Sequence, residues 1–149
     1  ISKLQDEFFV NPFSHYLHEL RMQRNVRQAD LAEQMSYEQS YISALEVGTK
    51  GPPTREFLAR LAEALSLTED ERKRLDLVVE ASQRKVVIDP DKPQEIFWML
   101  KELRDQLDFL TSSQVRAIRE VLRITADTKQ AFHEPTRRMR RRNKQEVEM

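Results

Sequence analysis

The sequence lacks cysteine altogether and contains only two glycines among its 149 residues. Without thiols, disulfides and thiolate metal sites are excluded, and nothing indicates an oxidising compartment. Two glycines leave little material for hairpins or phosphate-cradling loops, which favours an all-α fold. The apolar runs are only a few residues long and the first residues do not resemble a signal peptide, so membrane insertion is excluded. We therefore expect a cytoplasmic, helical protein.

Motifs of catalysis are also missing. The chain has no Gly-x-Ser-x-Gly elbow, no Walker loop and no His-Glu-x-x-His pattern. His15 and His18 are three residues apart in a predicted helix. One such pair, without cysteine or suitably spaced carboxylates, is more typical of solvated or packing histidines than of a metal site. We expect neither an enzyme nor a cofactor.

The formal net charge is zero, which at first disfavours nucleic acid as a partner because phosphate neutralisation needs an excess of cations. The distribution is uneven, however: residues 111–149 carry ten basic and five acidic side chains. A dense basic run, RRMRRRNK at residues 137–144, has no apolar period, and we expect a disordered tail over 131–149. Two roles stay open for it, either phosphate attraction or simple solubility.

Residues 27–48 contain two short helical patterns separated by a four-residue gap. The first has an apolar face formed by residues 29, 31, 32 and 35, and the second has Ile42 and Leu45 at a helical spacing. Gln28, Gln39 and Ser40 point away from that seam, as does Ser43. Amides and hydroxyls of this size can read base edges in a major groove. The pattern indicates a helix-turn-helix.

Three further helices surround this motif. Asn11 and Pro12 start one that runs to about residue 25. Thr54 caps another, after a loop of Gly and Pro, and Thr68 with Glu71 forms a capping box for a fifth helix from 69 to about 85. Their apolar positions recur at helical spacing, which indicates a shared core: Phe13, Leu17, Leu20, Phe57, Leu58, Leu61, Ala62, Leu65, Leu75, Val78 and Val79.

Residues 13–66 resemble the Cro/CI-type, or XRE-family, helix-turn-helix domain of phage repressors and many bacterial regulators. The resemblance is carried by LR at 20–21, QADLA at 28–32, YIS at 41–43, LE at 45–46, Gly48, and LAEAL at 61–65. These residues stand at the family's spacing, apart from about one extra residue in the loop at 51–53. The implied fold is a five-helix, lambda-repressor-like DNA-binding domain.

The resemblance also implies a recognition helix at Gln39–Val47, which enters the major groove, and a preceding helix at Gln28–Met35, which lies across the backbone. It places Arg21 and Glu46 in a buried ion pair. In that docking geometry the expected base contacts are Gln28, Gln39, Ser40, Tyr41 and Ala44. The expected phosphate contacts are Gln28, Ser43, Thr49 and Lys50. The alternative is that this polar face is only a solvated helix surface.

Two residues depart from the family pattern at the turn. Ser36 stands where the family often has glycine, and Tyr37 replaces a small aliphatic residue. A residue other than glycine at that position carries backbone strain or alters the turn.

The remaining residues predict a dimerisation element. Residues 86–93 contain two prolines and two aspartates and indicate a linker. Pro93 then begins a helix with apolar residues at intervals of four and three, followed by a second amphipathic helix, so that 94–130 forms a helical hairpin. Pairing with a second subunit completes a four-helix core; packing on the chain's own DNA-binding domain is the alternative. The expected dimer contacts are Ile96, Phe97, Leu100, Leu103, Leu107, Leu110, Val115, Ile118 and Leu122.

The sequence therefore predicts an N-terminal arm at 1–12, a DNA-binding domain at 13–85, a linker at 86–93, a dimerisation element at 94–130 and the tail. We expect a bacterial or phage-encoded transcriptional regulator, a repressor by resemblance, that binds double-stranded DNA as a homodimer on a near-palindromic operator. Two alternatives stay open. One is an antitoxin whose C-terminal helices bind a toxin, and the other is a sensor whose hairpin binds a protein or peptide effector.

Overall fold

A computed structural model describes residues 10–127, with side chains to residue 124. Over these residues the chain is helical and contains no strand, which confirms the all-α prediction. The chain divides into two compact units, Ile1–Ile88 and Asp89–Met149. The division falls inside the predicted linker. No helix in the described part combines the length and the apolar character that crossing a bilayer requires.

The first unit contains five helices: α1 Pro12–Gln23, α2 Gln28–Met35, α3 Gln39–Val47, α4 Arg55–Ala64 and α5 Glu69–Ala81. Local capping accounts for several of their starts. Asn11 accepts a hydrogen bond from the Ser14 amide ahead of Pro12, and Thr54 accepts one from the amide of Phe57. Thr68 and Glu71 form the predicted capping box. The helices implied by the family resemblance agree with the bounds of α2 and α3.

One apolar core joins these five helices. Each helix contributes residues that recur every three or four positions, so the buried set forms a stripe on each. A buried hydroxyl on α1, that of Ser14, donates a hydrogen bond to the Leu45 carbonyl of α3. The buried apolar residues are Phe13, Tyr16, Leu17, Leu20, Leu31, Ala32, Met35, Ile42, Leu45, Phe57, Leu61, Ala62, Leu65, Leu67, Leu75 and Val78.

Hydrogen bonds at both ends of α5 hold it against α1. At its start, Arg24 donates to the Leu65 carbonyl at 2.7 Å and to both carboxylate oxygens of Glu71 at 2.8 and 2.9 Å. Beyond its end, the Ser82 hydroxyl accepts from the Phe13 amide at 2.9 Å. These bonds close the domain around its core.

Two helix ends differ from the sequence prediction. The first helix ends at Gln23, two residues earlier than expected, because Asn25 takes a left-handed conformation with φ of 52°. The fifth helix ends at Ala81 rather than near residue 85, where Ser82 turns toward α1. Tertiary contacts, which periodicity cannot show, set this second boundary.

The second unit contains α6 Gln94–Gln106, a 3-10 turn Leu107–Phe109 and α7 Ser112–Asp127. Thr111 and Gln114 exchange two hydrogen bonds that cap α7, at 2.8 and 3.2 Å. None of the residues from 89 to 124 is buried. Residues 1–9 of the predicted arm and the whole tail at 131–149 lie outside the described residues, and Pro12 of that arm belongs to α1.

Candidate nucleic-acid interface

Helix α3, the expected recognition helix, has one buried side and one polar side. Ile42 and Leu45 are completely buried against the core. Gln39 and Ser40 lie on the exposed side, with Ser43 half-buried one turn later. Because 3.6 residues complete one turn, burying 42 and 45 directs 40 and 43 away from the core, while Gln39 lies at the border of the buried side and is exposed in the first turn of the helix. The packing therefore presents amide and hydroxyl groups at the amino-terminal half of the helix.

The turn between α2 and α3 has the left-handed conformation that glycine favours, although its residue is serine. Ser36 has φ of 57° and ψ of 42°. The amides of Ser36 and Tyr37 donate to the carbonyls of Glu33 and Ala32 at 3.2 and 2.9 Å, which satisfies the end of α2. Both helices have the bounds that the resemblance implies, and Ser36 adopts the left-handed conformation between them at a cost in backbone strain.

The unexpected Tyr37 belongs to an aromatic cluster beneath the recognition helix. Its ring stacks on that of Tyr41, with centroids 5.4 Å apart and planes at 20°. Both rings meet the buried Phe57 edge-on, at 5.2 and 5.6 Å. The Tyr37 ring therefore fills the space beside the turn and packs against one face of the Tyr41 ring. No local pattern connects Tyr37 with Phe57, which lies twenty residues further along the chain.

This packing also determines the chemistry of Tyr41. Burial, with a smaller effect from Tyr37, raises the pKa of Tyr41 above its ordinary value of 10.0. The hydroxyl consequently keeps its proton at neutral pH and can donate a hydrogen bond. The Lys50 ammonium lies 5.4 Å from the centre of the same ring, within reach of a cation–π interaction.

The carboxylate of Glu46, on α3, connects this helix to α1 and α2. Glu46, whose side chain is 6% exposed, accepts from Arg21 Nε at 2.6 Å and from Nη2 at 3.0 Å. It also accepts from Gln28 Nε2 at 2.8 Å, and His18 Nδ1 lies 3.3 Å away. Arg21 in turn donates to the Val26 carbonyl. The ion pair implied by the resemblance is thus present, within a larger network.

Two opposing effects act on the Glu46 carboxyl. Burial alone raises its pKa, but hydrogen bonds from Arg21, Gln28 and His18 outweigh burial and lower the pKa below 4.5. Glu46 is therefore ionised at neutral pH and holds its donors. One consequence concerns Gln28: one of its two amide hydrogens is committed to Glu46, and the side chain is half-buried. The sequence predicted a contact residue here and did not reveal this partner.

The loop after α3 folds back on the end of that helix. The amides of Gly48, Thr49 and Lys50 all donate to the Ala44 carbonyl, at 3.0 to 3.2 Å. Gly48 has φ of +84°, and a Cβ there would lie 3.4 Å from Asn11, so glycine suits both the conformation and the space. Thr49 and Lys50 are exposed at this end of the helix, while Ala44 is half-buried.

A residue that the sequence analysis did not single out also reaches this loop. Arg84, three residues beyond the end of α5, donates from Nη2 to the Gly48 carbonyl at 2.8 Å. Its thirty-six-residue separation from Gly48 left no local pattern to reveal it. The two histidines of α1 are exposed, and no group of three metal-binding side chains occurs in the described part of the chain.

Comparison with known families and proteins agrees with this arrangement. Residues 12–75 match a family model described as a helix-turn-helix domain. The match spans all of α1 to α4 and the first half of α5. No curated protein and no solved structure gave a significant match to the chain.

Proposed function

Because residues 12–75 are a helix-turn-helix domain of the Cro/CI class, which binds DNA, we propose that the chain is a sequence-specific transcriptional repressor acting as a homodimer. Its target is a near-palindromic operator in the genome of a bacterium or phage. One observation carries the proposal: helix α3 buries Ile42 and Leu45 completely and exposes Gln39 and Ser40 where this class of domain meets base edges.

Gln39 is the main reader in this proposal. Its amide can form two hydrogen bonds with an adenine, a pair that contributes about 1–3 kcal/mol of discrimination. Ser40 accepts or donates with less selectivity. Tyr41 is held against Tyr37 and Phe57, and its protonated hydroxyl then lies along the sugar-phosphate backbone, while the Ala44 methyl meets a thymine methyl.

Gln28 acts mainly by positioning. Its bond to Glu46 fixes the first turn of α2 against α3, and its second amide hydrogen remains for a phosphate or for Gln39. Ser43, Thr49 and Lys50 complete the phosphate contacts. Of these, Lys50 supplies a full positive charge, which phosphate binding by a chain of zero net charge needs at the interface.

Dimerisation through the second unit supplies the remaining affinity. This unit leaves apolar side chains accessible on both helices, including Phe97 at 41% and Trp98 at 56% exposure. Two short helices cannot cover such a surface alone, whereas four helices from two subunits form a core. The partner that covers this apolar surface is a second copy of the chain, because a two-fold dimer places two recognition helices about one helical turn of DNA apart.

Selection of bound duplexes from a random-sequence library tests the reading of sequence. The wild-type chain should enrich a motif with two-fold symmetry. Gln39→Ala should lose preference at one position of each half-site and keep the rest. Gln23→Ala, the same change at an exposed residue of α1, is the matched control and should enrich the wild-type motif.

Absence of any enriched sequence would reject specific binding, and a single asymmetric half-site would reject the dimer. The regulatory direction is then measured with the enriched sequence placed across a promoter that drives a reporter. Repression requires that output falls when the wild-type chain is present and recovers with Gln39→Ala.

A further inference from the structure

The segment that follows α5 is fixed beside the carboxyl end of the recognition helix. The Ser82 hydroxyl donates to the Val78 carbonyl at 2.6 Å and accepts from the Phe13 amide. Two residues later, Arg84 Nη2 reaches the Gly48 carbonyl at 2.8 Å. The guanidinium is therefore held at one edge of the candidate interface, although its residue is far from α3 in sequence.

A positive charge at the carboxyl end of α3 would favour the approach of a DNA phosphate. Carbonyl groups at the carboxyl end of a helix carry a partial negative charge, which repels an approaching phosphate. The last turn of α3 contains no basic residue. Arg84 supplies that charge from another part of the chain by donating directly to Gly48, the residue that ends the helix.

Arg84 also retains capacity for a ligand. A guanidinium has five N–H donors, and among the described residues only the Gly48 carbonyl accepts from it. No carboxylate in the described part pairs with Arg84 or with Lys50, in contrast to Arg21 and Arg24, which each have an acidic partner. The loop after α3 thus contains Lys50 and is contacted by Arg84, two cations without a carboxylate partner among the described residues.

We infer that Arg84 is a DNA phosphate-contact residue, which neutralises the carboxyl end of the recognition helix and binds the backbone phosphate beside Lys50. The inference rests on the proposed DNA-binding function. It extends the interface beyond the residues matched by the family model, which end at 75. A guanidinium suits this role because its fork can bond a carbonyl and a phosphate oxygen simultaneously.

The experiment measures the salt dependence of binding by the full chain. The probe is a duplex enriched by the wild-type chain from a random library, titrated over a series of potassium chloride concentrations. Arg84→Gln keeps a donor for Gly48 but removes the charge. Its log-log salt slope should be shallower by about 0.9, the value for one lost phosphate contact. Arg84→Lys should keep the wild-type slope because it retains the charge.

Arg74→Gln is the control, since it removes the same charge from an exposed position within α5. It should keep the wild-type slope, and thermal unfolding followed by circular dichroism should show that all variants fold. An Arg84→Gln slope equal to that of the wild type would overturn the inference. Arg84 would then have only a structural role, through its hydrogen bond to Gly48, and the proposed function would stand. Failure of the wild-type chain to bind any duplex would instead reject the function and, with it, the inference.

Discussion

Glu46 is the residue whose removal should most disturb the DNA-binding domain without touching its apolar core. Replacing it with alanine deletes the acceptor of three side chains from two other helices. Arg21, only 11% exposed, then loses its counter-charge while remaining largely out of water. Gln28 loses the bond that fixes it at the start of α2.

Removing one partner of a buried ion pair costs about 3–5 kcal/mol, because the other charge is left uncompensated. Arg21 keeps its bond to the Val26 carbonyl and has some contact with solvent, so the lower end applies. We expect Glu46→Ala to lower the free energy of unfolding by about 3 kcal/mol, a large share of the 5–15 kcal/mol of a typical domain. For a domain of this size the melting temperature should fall by about 15 °C.

The assay is urea unfolding at neutral pH in a Trp98→Phe background. All three tyrosines lie in the first unit, so tyrosine fluorescence then reports on the DNA-binding domain alone. Three further chains complete a double-mutant cycle: Arg21→Met, Glu46→Leu and the two combined. The combined variant should recover to within about 1 kcal/mol of the parent, since apolar replacement of both partners leaves no stranded charge.

Two results would refute this reasoning: a cost below about 1 kcal/mol for Glu46→Ala, or additive losses in the cycle.

The pH dependence of unfolding gives an independent check. The folded pKa of Glu46 lies below its ordinary value of 4.5, so its stabilisation is complete above that pH and disappears as the pH falls through the lower, folded pKa. The difference between parent and Glu46→Ala should therefore shrink in acid.

Three further predictions concern other parts of the chain. Hydrogen bonds led by that from Arg24 lower the pKa of Glu71 from 4.5 to about 2. Glu71→Gln should therefore lower the free energy of unfolding by about 1–2 kcal/mol at neutral pH, and this loss should vanish as the pH falls from 4.5 to 2. Urea unfolding over that pH range measures the loss, and a loss that grows in acid would contradict the prediction. Ser36→Gly should stabilise the domain by up to about 1 kcal/mol in the same assay, and more than Asn25→Gly, because asparagine tolerates the left-handed conformation better than serine. Absence of a gain from Ser36→Gly would argue against strain at the turn. Leu103→Asp should convert the dimer to a monomer by sedimentation and weaken operator binding, whereas a wild-type chain that is already monomeric at micromolar concentration would reject the dimer.

Much of the first unit could be predicted because its signals are local. A capping residue acts within three positions, as Thr54 does on Phe57, and an apolar period of three and four identifies the buried side of a helix. The same periodicity placed Ser40 outside the core, on the side of the helix opposite Ile42 and Leu45. These relations depend on helical geometry alone.

The second unit shows which features the apolar periodicity does not predict. The apolar spacing of α6 predicted a helix, and a helix is present, but it continues as a 3-10 turn from Leu107 to Phe109. Spacing indicates which side of a helix is apolar and does not identify the surface that covers it. The pairing of two subunits therefore remains a prediction that the sedimentation experiment decides.

The sequence by itself determined the helices, their caps and the polar side of the recognition helix, because each depends on residues within about one turn of one another. The tertiary structure alone decided that Gln28 is held by Glu46, that Tyr37 supports Tyr41 through Phe57, and that Arg84 reaches the end of α3. These partners are 16 to 36 residues apart. Only the packing of whole helices brings such side chains within hydrogen-bond or ring-contact distance, and no local pattern in the sequence encodes it.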